Sequence, residues 1–108
     1  MTAEVVPLRK FSPKAPPTLA ELAARVRALA KDSENIGFDH PHLQIRMAQR
    51  GLTMRQVLET LRKGESVSGP TLDKYGDWRI KLKRLVAGRR VQVVVAVKDE
   101  RIDVATAI

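Results

Sequence analysis

Cysteine is absent from all 108 residues, which excludes a disulfide framework and thiolate-bound zinc together. The two histidines, His40 and His42, lack the surrounding carboxylates that a metal site would need, so no metal and no cofactor are expected. Long apolar runs are missing as well. The longest, residues 91–97, is interrupted by Gln92 and falls far short of the roughly 20 residues of a spanning helix. The opening MTAEVVPLRK contains no apolar stretch of the secretory kind, and the expectation is a cytoplasmic protein without a membrane partner. Acidic residues are also scarce: 12 Asp and Glu stand against 20 Lys and Arg, a formal net charge of +8. That excess goes beyond what solubility requires and points to a polyanionic partner, nucleic acid first and an acidic protein second.

The hydrophobic fraction of 44% beside 30% charged residues is a globular balance, and the length suits one hydrophobic core. Residues 1–17 hold Pro7, Pro13, Pro16 and Pro17 with Arg9, Lys10 and Lys14, so they read as an extended basic arm. A single domain is expected over residues 18–108.

Three helices are legible from their ends. In TLAELAARVRALAK, Thr18 and Glu21 have capping-box spacing, and Leu19, Leu22, Val26 and Leu29 form one apolar stripe. His40 precedes Pro41, a residue favoured at the first helical position, and Gly51 supplies the stop. Thr53 and Gln56 repeat the capping box, Met54, Val57, Leu58 and Leu61 share a face, and Gly64 closes that helix. Between the first two helices, Ile36 and Phe38 suggest a short extended piece.

Beyond Gly64 the period changes from helical to alternating. DWRIKLKRLV sets Trp78, Ile80 and Leu82 against Arg79, Lys81 and Lys83, a strand with one inner and one positive outer face. RRVQVVVAV reads as a central strand covered on both sides, and RIDVATAI alternates again after a turn at Asp99 and Glu100. ESVSGPTL is a weaker candidate, which Gly69 and Pro70 demote to an edge strand or a loop. The expected architecture is α+β, with N-terminal helices followed by an antiparallel sheet of three or four strands.

One row carries the chemistry. On a helix, His42, Arg46 and Arg50 share a flank, with Gln49 beside them. An imidazole that titrates near neutrality, beside guanidinium forks that grip phosphate, is the minimum equipment for cleaving RNA without metal. Arg79, Lys81, Lys83 and Arg84 are the expected track for the flanking backbone, with Tyr75 as a stacking residue. The competing reading is a solvated helix face and a solvated strand face with no ligand. Trp78, at an alternating position, is expected in the core.

HLQIRMAQRGLTMRQVLETLRKG together with GRRVQVVVAVKDERIDVATAI resembles the family called domain of unknown function 4258. That family's pattern is a His, an Arg four residues on and usually followed by Met, an Arg-Gly pair, a helix ending in Gly, and strands closing near a Thr. The resemblance runs over residues 40–108 and places the histidine at His42, the arginines at Arg46 and Arg50, the glycine at Gly51 and the threonine at Thr106. It implies a small fold similar to the RelE-like and barnase-like toxin ribonucleases, and toxins of toxin–antitoxin or phage-borne systems. Under that resemblance His42 is general base or acid, Arg46 and Arg50 clamp phosphate, and the partners are RNA, free or on the ribosome, and an antitoxin. The basic arm and the helix over residues 18–31 lie outside the pattern and are expected to serve antitoxin binding or homodimerisation. The second expectation, from a different class, is a non-catalytic nucleic-acid-binding or adaptor protein that uses the same face for charge alone.

Overall fold

The computed structural model describes residues 17–107. Apart from Pro17, the expected basic arm lies outside the described residues, and with it any dimer contact through that arm.

Helix α1 (Leu19–Ala30) starts at Thr18, whose hydroxyl accepts the Glu21 N–H at 3.1 Å while the Glu21 carboxylate accepts the Thr18 N–H at 2.8 Å. Two backbone donors that the helix start leaves unbonded are thereby satisfied. Its apolar stripe, Leu22, Val26 and Leu29, is buried. At its other end Arg62 Nε donates to the Ala30 carbonyl at 2.7 Å, placing a cation on the negative end of the helix.

A 3-10 turn (Ser33–Asn35) leads into β1 (Ile36–Gly37), and α2 (Pro41–Arg50) follows. His40 caps α2: its Nδ1 accepts the His42 N–H at 3.2 Å, and Pro41 occupies the first turn without wasting a donor. The helix ends at Gly51, φ +64°, a left-handed conformation that a side chain would strain. Helix α3 (Met54–Lys63) opens on the Thr53–Gln56 capping box, with bonds of 3.2 and 2.8 Å, and buries Val57 and Leu61 completely.

The remaining strands are β2 (Glu65–Leu72), β3 (Trp78–Val86), β4 (Arg89–Val97) and β5 (Ile102–Ala107). Their order is β1-β5-β4-β3-β2, with β1 parallel to β5 and every other pair antiparallel. The sheet therefore has five strands, not three or four. The short piece at Ile36 pairs with Ile102, a partner 66 positions away, and ESVSGPTL pairs along its length. Register shifts between Ser66 and Ser68 and between Ser68 and Thr71 absorb Gly69 and Pro70, which an edge strand tolerates because one side needs no ladder donors.

Helices α1 and α3 pack side by side against the face of the sheet that carries Ile80, Leu82, Val91, Val93 and Val95. Complete burial of a Leu or Val side chain contributes about 1.5–3 kcal/mol, so this layer dominates stability. Trp78 packs against the same core. Helix α2 lies along β5. β4 is central, as its apolar run suggests, yet it is covered fully on one face only: Gln92 and Val94 on the other are half-exposed.

Candidate functional site

Helix α2 displays the predicted row along its length, each four-residue step rising about 6 Å. His42 is exposed, and its ring lies edge-on to that of His40 with 6.0 Å between centroids. Arg50 is exposed and Arg46 half-buried, and among the described residues neither side chain has a hydrogen bond or ion pair. Glu59, a carboxylate on the following helix that could have claimed Arg46, is instead paired with Arg84 at 3.1 Å. None of the three concavities described below is lined by His42, Arg46 or Arg50.

The predicted strand track is divided by its partners. Arg79 Nε donates to Asp73 at 2.9 Å and serves the β2–β3 turn. Lys81 has no ion pair among the described residues, and Lys83 stands 3.8 Å from Glu65. Arg84 faces the other way. It lies opposite buried Val91 and reaches α3, donating to Glu59 and to the Lys63 carbonyl. Tyr75 is 73% exposed at the β2–β3 turn, with Lys74 Nζ 5.2 Å from its ring centre. It sits at the far end of the sheet from Lys83 and Arg84.

That far end, formed by the β2–β3 and β4–β5 turns, is a closed network. Asp73 accepts from the Tyr75 and Asp77 N–H groups, each at 2.9 Å, as well as from Arg79. Burial works against its charge, but these donated bonds and the guanidinium together outweigh it and hold the carboxyl below the usual range. Lys98 bridges Asp103 at 3.3 Å and Asp77 at 3.6 Å. The bond to Asp103, ahead of the opposing effect of burial, holds its ammonium above the usual lysine range. Arg101 completes the set on Asp103 at 2.7 Å. From α1, Arg25 donates to the Lys98 and Asp99 carbonyls at 3.5 and 3.3 Å, and burial lowers its pKa against the opposing pull of Asp99. Two concavities open here, both bordered by His40 and Asp103: one of about 430 Å³ floored by Ala96 and Ala105, and one of about 340 Å³ beside Gly37 and Arg101.

The opposite end, around the β3–β4 turn, has a different character. A concavity of about 360 Å³ is lined by Lys63, Lys83, Arg84 and Arg90, with Glu65 its single carboxylate and Leu85 its apolar wall. The side chains of Lys63 and Arg90 have no hydrogen bond or ion pair among the described residues. Arg89 donates to the Gly51 carbonyl at 3.2 Å and to the Arg50 carbonyl, tying the end of α2 to the same turn. With Glu59 neutralising Arg84 from α3 and Glu65 beside Lys83, the hollow keeps an excess of positive charge from Lys63 and Arg90.

Lys63 and Arg90 were not singled out by the sequence. Each flanks a glycine-marked turn, in RKG and GRR, but only the pairing of β2 with β3 and of β3 with β4 brings both beside Lys83. His40, read as a helix-start residue, does cap α2 and also borders both concavities of the other end. Among the described residues no three His, Asp or Glu side chains form a metal-binding group, and no helix is long and apolar enough to cross a membrane.

Residues 40–108 match the family model described as a domain of unknown function, number 4258. No curated protein and no solved structure matches the chain.

Proposed function

This chain belongs to the domain of unknown function 4258 family, and we propose that it binds nucleic acid through backbone phosphates at the β3–β4 end of its sheet. The observation that carries the reading is the concavity lined by Lys63, Lys83, Arg84 and Arg90 against Glu65 alone. Exposed cations without protein partners, such as Lys63 and Arg90, exchange only water for an incoming phosphate, whereas those tied to carboxylates must first give up a bond. Exposed Arg50 and half-buried Arg46 extend the positive surface along α2. Affinity for RNA measured over a range of salt tests it. With four phosphate contacts, log K should fall against log salt with a slope of about −3 to −4, and salt-independent or absent binding removes nucleic acid as the partner.

A second reading, a metal-independent endoribonuclease of toxin type regulated by an antitoxin, is favoured by one observation. His40 and His42 put two imidazoles 6.0 Å apart at the start of α2, so an acid and a base are both at hand on the helix that carries Arg46. RNA cleavage in EDTA that disappears in both His40→Ala and His42→Ala supports it; intact RNA with the wild-type protein leaves the binding module.

A further inference from the structure

Two groups of cations near the β3–β4 end come from separate elements, and one side chain connects those elements. Arg89 opens β4 and sends its guanidinium to the last carbonyls of α2, those of Arg50 and Gly51, where the negative end of the helix dipole receives it. Arg90 follows it in the strand, pairs with Leu85 and lines the concavity with Lys63 and Lys83. Successive strand residues point to opposite faces, so Arg89 reaches toward α2 while Arg90 reaches into the hollow. Two N–H groups of Arg89 are used on the helix end, and a guanidinium has five. Arg89 thus holds the end of the helix that carries Arg46 and Arg50 against the hairpin whose next residue, Arg90, lines the hollow with Lys63 and Lys83.

We propose that Arg89 is a positioning residue that joins these two cation groups into one track, and that the ligand is a nucleic-acid strand contacting several successive phosphates, not a mononucleotide or a lone phosphate. This rests on the nucleic-acid reading above. Either group alone suits one phosphate; only a polymer engages both, and the second contact is then intramolecular, with the gain in affinity that linkage brings. If the helix end is released from the hairpin, each group keeps its charge but the spacing between them is no longer held.

The test compares single-stranded oligonucleotides of about 4 and about 16 nucleotides, the range of site sizes for strand-binding folds. Wild-type affinity should rise well over tenfold from the short to the long probe. Arg89→Ala should cost about tenfold on the long probe and leave the short one within about twofold, with Arg89→Lys partly restoring the loss. Because Arg89→Ala also removes a charge, the Arg46→Gln/Arg50→Gln pair provides the control: on the long probe, adding Arg89→Ala to that pair should cost little more, since the contact it positions is already gone. Equal losses on short and long probes, full additivity with the α2 pair, or an affinity that does not grow with length overturns the track. Absence of binding to either probe at low salt overturns the nucleic-acid reading itself.

Discussion

The two ends of the sheet use similar numbers of charged side chains to opposite effect. At the β2–β3 and β4–β5 turns, Asp73, Asp77 and Asp103 face Arg79, Lys98 and Arg101 and consume them in ion pairs of 2.7 to 3.6 Å. At the β3–β4 turn, Lys63, Lys83, Arg84 and Arg90 surround a hollow with Glu65 as its carboxylate, and only Arg84 is bonded firmly, to Glu59. A cation's availability to a ligand is decided by what already holds it. The net charge of +8 is therefore a poor guide to where a polyanion binds, and the distribution of partners is a better one.

The largest expected effect follows from the uncommitted cations. Lys63→Glu with Arg90→Glu should weaken RNA binding by about a hundredfold or more near 0.1 M salt, since each lost phosphate contact removes nearly one decade there and the new carboxylates repel. Thermal stability should fall by only about 0.5–1 kcal/mol, the cost of a carboxylate in the last turn of α3, because neither side chain has a partner among the described residues. Lys74→Glu, at the other end, should change affinity by about twofold at most. If Lys74→Glu is as damaging as the double reversal, the two ends do not differ as described.

Stability should show the reverse pattern. Asp73→Ala removes the acceptor of two backbone N–H groups and of Arg79, and should cost about 2 kcal/mol, or about 10 °C in melting temperature. RNA affinity should be nearly unchanged. A loss below about 0.5 kcal/mol, the ordinary size for a surface substitution, would mean the network does not hold the turn.

The same carboxyl gives a pH dependence with a defined sign. The pKa of Asp73 is depressed in the folded protein, so its contribution is present above its unfolded value, about 3.9, and is lost as pH falls through the folded value. The pKa of Lys98 is raised, so its contribution is present below the unfolded value of about 10.4 and is lost as pH rises through the raised one. Denaturant midpoints below about pH 4 should fall more steeply in wild type than in Asp73→Asn; parallel curves would show that Asp73 carries no such linkage.

Removing a carboxylate from the basic end should make it more basic in effect. Glu59→Gln frees Arg84, which is about one-third exposed, and should tighten RNA binding severalfold while costing about 0.5–1 kcal/mol of stability. Unchanged affinity would exclude Arg84 from the contact.

Local chemistry was legible in the sequence; partnership at a distance was not. The capping pairs Thr18–Glu21 and Thr53–Gln56, Pro41 at the head of α2 and Gly51 at its end all act within four residues, and all appear as read. The alternation of β3 correctly separates Ile80 and Leu82 from Arg79, Lys81 and Lys83. The same two-residue period puts Arg84 with the inner set, so grouping it with the outer lysines ran against the pattern. What the pattern does not contain is which acid claims which cation: Asp73 is six positions from Arg79 across a turn, and Glu59 is 25 from Arg84 across two elements. The hollow depends on strand register, which no short window of sequence encodes.

The smallest expected effect concerns the turn that carries the basic end. Val86 and Arg89 pair across a two-residue turn in which Ala87 has φ +52° and Gly88 φ +78°. Positive φ at both central residues is the arrangement that matches the twist of a hairpin and favours Asn-Gly. Alanine has no side-chain group to compensate for the left-handed conformation, whereas asparagine enters it with several-fold greater ease. Ala87→Asn should therefore stabilise the protein by about 0.5–1 kcal/mol. The gain should not depend on salt, because it comes from backbone conformation, whereas the ion pairs of the opposite turns are screened as salt rises. RNA affinity should rise slightly or stay level, as the substitution adds no charge and holds Arg89 and Arg90 in their present places. Denaturant titrations at low and high salt decide it: a gain that vanishes with salt, or a loss of stability, would mean the β3–β4 turn is held by charge after all and the contrast between the two ends is not one of backbone against ion pairs.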